Sequence, residues 1–258
     1  MASVTKRDEL NLLEKEKFNV KKYFEEMDLS KSEIRFRIRL EGLIEEALLS
    51  WLYFFETYTS SGGDMIDNIY LRENLNRRLR DAVTDEIPID KEIEDHLKRL
   101  SKDILDGLLK REKEIRDGDA DASAAQENAA NSSSEEDDEE RRKTREKALH
   151  EAYIAATKID EAVEEYREKA RKIAADQSNA LANKEQYEEA KLSGLEFKTW
   201  VTEKDELVRS THRKVDEKTI PIDDFFIVGG YKMRFPLDVF YGAPDREIIN
   251  CRCVCKYQ

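Results

Sequence analysis

Asp205, His212, Cys251 and Cys253 are the side chains whose types and spacing could do chemistry. Asp205 and His212 are seven residues apart, so a helix over 202–214 would put them on one face with Val208 and Arg209 between them. Cys251, Cys253 and Cys255 alternate, and on a strand their thiols would project to one side and Arg252 to the other. Such a set suits two chemistries. His212 could deprotonate a Cys251 nucleophile while Asp205 orients the ring. Alternatively, His212, Cys251 and Cys253 could hold zinc tetrahedrally. A third reading needs no chemistry: Asp205 caps or pairs with Arg209, His212 is an interior polar group, and the cysteines pack as small hydrophobes. No Gly-rich anion loop, oxyanion-type turn or second carboxylate pair accompanies the set, so the chain is expected not to be an enzyme. No cofactor is expected other than zinc at the His-Cys-Cys candidate.

The elements that must carry these residues are mostly helices. Ser30-x-x-Glu33 has capping-box spacing, and the apolar stripe from Leu40 to Phe55 after it ends at Ser60-Ser61-Gly62-Gly63. A second helix is expected from about Met65 to Val83, and Asp90 can cap a third carrying Ile93, Leu97, Leu100, Ile104 and Leu108. From Leu149 to Ile173 apolar residues recur at near-heptad spacing, a seam that calls for another helix in this chain or a neighbouring one. Gly194 stops that helix. Beyond Trp200 the pattern shortens to apolar runs, Phe225–Val228 and Ile248–Val254, between turn signals. The expected fold is α+β and mostly α-helical: an N-terminal helical region, a long helix, and a small C-terminal α+β domain with short strands.

Of 258 residues, 58 are acidic and 45 basic, a net charge of −13. That balance argues against a protein that coats nucleic acid through a basic surface. Ten of the acids lie in Asp117–Glu140, which contains no Lys or Arg and no residue able to enter a core. A stretch of this kind cannot offset its ordering entropy, so 117–146 is expected to be a disordered or loosely helical acidic linker between 1–116 and 147–258. The longest apolar run, Ala47–Phe55, is too short to span a bilayer, and the first nine residues lack the apolar core of a signal peptide. Three clustered cysteines make a poor disulfide framework and suit a reducing compartment.

The ordered series Trp200, Asp205, Arg209, His212, then Pro221 to Phe225, Pro236, and Asn250-Cys251-Arg252-Cys253 resembles the Mu F-like head morphogenesis family, the minor head proteins of tailed phages. The helix from Ala170 through Asp176 to Asn179 resembles that family's lead-in, so the resemblance covers about Ala170–Cys255. Two positions depart: Ala175 stands where the family usually has Arg, and Glu217 where it tends to have Gly. The resemblance implies a minor structural protein of the phage head, bound near the portal, acting in procapsid assembly or in early DNA packaging or ejection. It implies as partners the portal and the major capsid or scaffold protein, with non-specific contact to packaged DNA and no membrane. The implied location is the virion, in the capsid interior or portal region, and the host cytoplasm during assembly. The alternative is a phage-delivered effector or hydrolase using the Asp205, His212 and Cys251 set.

Overall fold

The computed structural model describes residues 18–60, 68–127 and 138–258, with side chains at 18–59, 69–115 and 159–258. Its helices are α1 (Val20–Glu25), α2 (Lys31–Ser60), α3 (Asn68–Val83), α4 (Lys91–Glu127) and α5 (Asp138–Leu192). The C-terminal part then runs β1 (Phe197–Val201), α6 (Ser210–Arg213), β2 (Thr219–Pro221), β3 (Phe226–Val228), β4 (Tyr231–Met233), α7 (Asp245–Ile248) and β5 (Val254–Tyr257). The fold is mostly α-helical α+β.

Local chemistry sets the helix starts. The Ser30 N–H donates to Glu33 Oε2 at 2.8 Å and the Glu33 N–H to Ser30 Oγ at 3.3 Å, so the capping box opens α2. The Ile93 N–H donates to Asp90 Oδ1 at 2.8 Å and opens α4. At the far end of α5 the backbone turns left-handed at Gly194, with φ 73°.

Contacts divide the chain into two units, and the division is not linear in sequence. One unit gathers 18–45, Val83–Pro88 and Arg171–Gln258; the other gathers Glu46–Ala82 and Ile89–Ala170. The first 28 described residues therefore belong with the C-terminal part, because α1 and the start of α2 bury Phe24 and Met27 with Ala175, Val201 and Val254. Of the acidic stretch expected to be disordered or loosely helical, 117–127 continue α4 and 138–146 begin α5, while 128–137 lie outside the described residues. Its alanines and glutamates are good helix formers, and an existing helix propagates more readily than a new one nucleates.

In the helical unit, Trp51 is fully buried with Leu71, Leu75 and Leu79, and its indole N–H donates to the Leu71 carbonyl at 3.1 Å. The near-heptad seam buries Ile159, Val163 and Ala170, and Glu165 of α5 accepts from Arg111 of α4 at 2.7 Å. Over the described part of the seam, the partner helix is α4 of the same chain, which meets Glu165 and Tyr166 through Arg111 and Gly107.

In the other unit, β1 is the centre of a three-stranded antiparallel sheet, β2-β1-β5, with Trp200 opposite Cys255. Strands β3 and β4 form a hairpin, Phe226 opposite Met233. Trp200, Phe226, Val228 and Met233 are fully buried between these sheets and α5. Residues 251–253 lie before β5, in irregular backbone, so the strand expected over Ile248–Val254 is displaced towards the C-terminus. Among the described residues no helix is long and apolar enough to cross a membrane.

Candidate functional site

His212 lies in the single-turn helix α6, where the backbone folds back from β1. Its ring is 1% exposed and meets the Trp200 indole edge to face, with centroids 5.6 Å apart. His212 Nδ1 lies 3.4 Å from Cys253 Sγ and 3.6 Å from Cys251 Sγ. Both thiols are buried, and the three possible ligand atoms all lie within 4.8 Å of one another. Across the ring, Nε2 lies 3.2 Å from Glu247 Oε2, although the angle there falls short of a hydrogen bond. Glu247 is itself 5% exposed and accepts from Thr211 Oγ1 at 2.7 Å. A buried carboxylate, an imidazole and two thiols thus stand in line.

The thiols influence each other. Hydrogen bonds from Cys253 and His212 hold the Cys251 thiol well below its ordinary range, against burial. Cys253 is pushed up by its bond to Cys251 and by burial, so the two thiols titrate as a pair. Trp200 acts on Cys253 from another side, yet its Nε1 meets no partner within hydrogen-bond geometry. Cys255 stands apart on β5 and is outside the cluster; burial pushes its thiol up to about 12.

The arrangement of the cysteines depends on α5. Asn179 Nδ2 donates to the Cys251 carbonyl at 3.0 Å, and Asn183 Nδ2 to the Pro236 and Cys253 carbonyls at 3.2 and 3.5 Å. One helical turn separates these amides, so they face the same loop. Their oxygens in turn accept from Arg37, which donates through Nε to Asn179 at 3.1 Å and through Nη2 to Asn183 at 3.0 Å. Arg37 is fully buried, which lowers its pKa to about 10. Asp176, a turn earlier on α5, accepts from the Asn250 N–H at 2.9 Å and from the Tyr23 hydroxyl at 3.1 Å. Burial raises its pKa to about 6, with those two bonds opposing the rise.

Asp205 does not stand beside His212. The segment 202–209 is irregular, with a turn and bends only at 205–208, and only Ser210–Arg213 is helical, so the shared helix face does not form. Asp205 Oδ1 instead accepts from the Leu207 and Val208 N–H groups at 3.0 and 3.1 Å, closing a local turn. Its other oxygen pairs with Arg252, whose bond holds the Asp205 carboxyl below the usual range. Arg209 donates to the Ile249 carbonyl rather than to Asp205. An Asp205, His212 and Cys251 triad is therefore not built; the carboxylate on the imidazole is Glu247. Arg252 also meets Glu26 at 3.3 Å.

Residues 77–256, more than half of the chain, match the family model described as phage Mu protein F like protein. The chain belongs to the phage Mu F-like family. That family is one of phage head morphogenesis, a structural role in the virion. Among curated proteins, the NAD(+)–arginine ADP-ribosyltransferase EFV of Enterococcus faecalis (strain ATCC 700802 / V583) is 30% identical over 80 residues. Those residues are 31% of this chain and 16% of that protein, so the chain spans about a sixth of its length. No solved structure matches the chain.

The motif residues of this Mu F-like chain divide by position. Trp200, His212, Cys251 and Cys253 converge on the buried cluster, and Asn250 and Pro236 tie its loop to α5 through their backbone. Asn250 has φ 57°, a left-handed conformation that asparagine tolerates better than most residues. Pro221 ends β2, and Phe225 packs edge to face on Tyr241 with centroids 4.8 Å apart, both away from the thiols. The sequence assigns no site role to Asn179 in the lead-in helix or to Glu247 just before Asn250, and nothing to Asn183 and Arg37. The i, i+4 asparagines on a helix rich in charge were one available signal, and the place of Glu247 three residues before Asn250 was another.

Proposed function

We propose that this chain is a minor structural protein of a tailed-phage head, seated near the portal and acting in procapsid assembly or in DNA packaging or ejection. The observation that carries the reading is the family match over 77–256, which takes in α4 and α5 as well as the motif-bearing strands and loops after Trp200. A surface suited to a protein partner supports it. Phe240 and Tyr241, 49% and 40% exposed, stack edge to face with centroids 5.0 Å apart, and the Arg234 guanidinium lies 5.1 and 5.3 Å from their centroids. Arg234 is itself held by Asp238, and the exposed aromatic side chains it supports are among those that interface centres favour. The portal, with the major capsid or scaffold protein, is the partner on this reading. Phage lacking the chain should make heads defective in assembly or infectivity, and cross-linking in procapsids should join it to the portal. Fully infectious particles from the deletion, with no portal cross-link, would overturn it.

A further inference from the structure

The cluster of His212, Cys251 and Cys253 has geometry that packing does not require. Bonds of about 2.0–2.1 Å to nitrogen and about 2.3 Å to sulfur, at a tetrahedral angle, give an N···S edge of about 3.6 Å. The two N···S separations here are 3.4 and 3.6 Å. A hydrogen bond from a thiol could share that distance, so the surroundings decide between the two readings.

Three features of the surroundings point to a cation. The carboxylate of Glu247 sits 3.2 Å behind the imidazole at Nε2, the arrangement in which a metal-bound histidine commonly has its other nitrogen oriented. Glu247 is held there at 5% exposure by Thr211 Oγ1 on Oε2, with Arg246 Nε 3.8 Å from Oε1, so the carboxylate is fixed in place behind the ring. His212 Nε2 itself is buried without a geometrically sound partner, a position that metal binding at Nδ1 would fix as N–H, donating to Glu247. The thiols, finally, are held at their carbonyls by Asn179 and Asn183, so both sulfurs are pre-positioned by neutral donors. Two soft thiolates and one imidazole select zinc over the hard, oxygen-seeking cations.

We propose that His212 Nδ1, Cys251 Sγ and Cys253 Sγ bind one zinc ion, with Glu247 as the positioning carboxylate, tying α6 to the loop before β5. Three protein ligands leave a fourth position. The same three residues line a cavity of about 780 Å³, together with Leu207, Val208 and Arg209, and water from it completes the tetrahedron. Binding releases the thiol protons to solvent and involves no redox step. The proposal concerns these residues alone and does not depend on the place of the chain in the phage head.

The test uses the full chain, reduced and purified without chelator. Elemental analysis should find about one zinc per chain, and after chelator treatment added Zn²⁺ should restore the lost thermal stability. Cobalt(II) in its place should show sulfur-to-metal charge-transfer absorption and intense tetrahedral bands. Cys253→Ser should weaken Co²⁺ binding at least 100-fold and Glu247→Gln about 10–100-fold, while Cys255→Ser leaves it unchanged. Should Cys253→Ser fail to fold, the cobalt spectrum of the unaltered chain decides alone. Absence of tight Zn²⁺ or Co²⁺ binding by the folded, reduced chain would overturn the proposal, as would a cobalt spectrum without sulfur ligation or a Cys255→Ser loss equal to that of Cys253→Ser.

Discussion

Gly229 and Glu247 are in contact across the hairpin between β3 and β4: a Cβ built on Gly229 would lie 2.8 Å from Glu247 Cδ. Gly229 also has φ 59°, which L side chains seldom adopt. The hairpin turn therefore leaves the space that the carboxylate behind His212 occupies. Gly229→Ala should lose about 2–3 kcal/mol, from left-handed strain and from displacing Glu247. In a double-mutant cycle measured by denaturant unfolding, part of that loss should vanish when Glu247 is already Ala. Full additivity would show that the two residues do not interact.

Glu217 supplies a stabilising change in the opposite direction. Its φ is 58°, and its N–H donates to the Trp200 carbonyl at 2.8 Å, so the turn after α6 holds it left-handed. Glycine alone adopts that conformation without a Cβ penalty. Glu217→Gly should stabilise the chain by about 1 kcal/mol, because the exposed ion pair with Lys204 that it gives up is worth little. A melting temperature that falls would contradict the assignment of strain.

Glu41 should make stability depend on pH. It is 4% exposed and its Oε1 has no hydrogen-bond partner. Burial, then repulsion from Glu45, raises its pKa from 4.5 to about 7, with Arg171 opposing. Between those values the folded chain binds more protons than the unfolded one, so this contribution to stability falls as pH rises from about 4.5 to about 7. Glu41→Gln should therefore gain on the order of 2 kcal/mol at pH 8 and little at pH 4, read from urea unfolding at both. Equal gains at the two pH values would rule out titration of Glu41 as the cause.

A cut within 128–137 should not separate the chain. Residues 18–45 share one contact unit with Arg171–Gln258, through Arg37 on Asn179 and Asn183 and through Tyr23 on Asp176. With a protease site placed there, the nicked protein should elute at the intact size and come apart only in denaturant. Two fragments that separate under native conditions would instead support the division into 1–116 and 147–258.

What the residues determine by themselves is local. Ser30 with Glu33, Asp90 and Gly194 mark helix boundaries because each acts on backbone groups three or four positions away, within reach of the same turn of chain. The order of Trp200, His212 and Asn250-Cys251-Arg252-Cys253 likewise identifies the family without reference to contacts. Only the tertiary structure decided which carboxylate faces His212. Asp205 is nearer in sequence but is drawn into a turn and onto Arg252, while Glu247 arrives from a four-residue helix beside Gly229. Short strands were legible as a class, and β3 lies within the run Phe225–Val228, but β1, β2 and β4 and their pairing were not, for a related reason. At three to five residues each they carry too little alternation to announce themselves, and their stability comes from partners such as Trp200 and Cys255, 55 positions apart. Helix signals are written within a turn, whereas this site is assembled from segments that meet only when Asn179 and Asn183 of α5 take hold of the loop carrying the thiols.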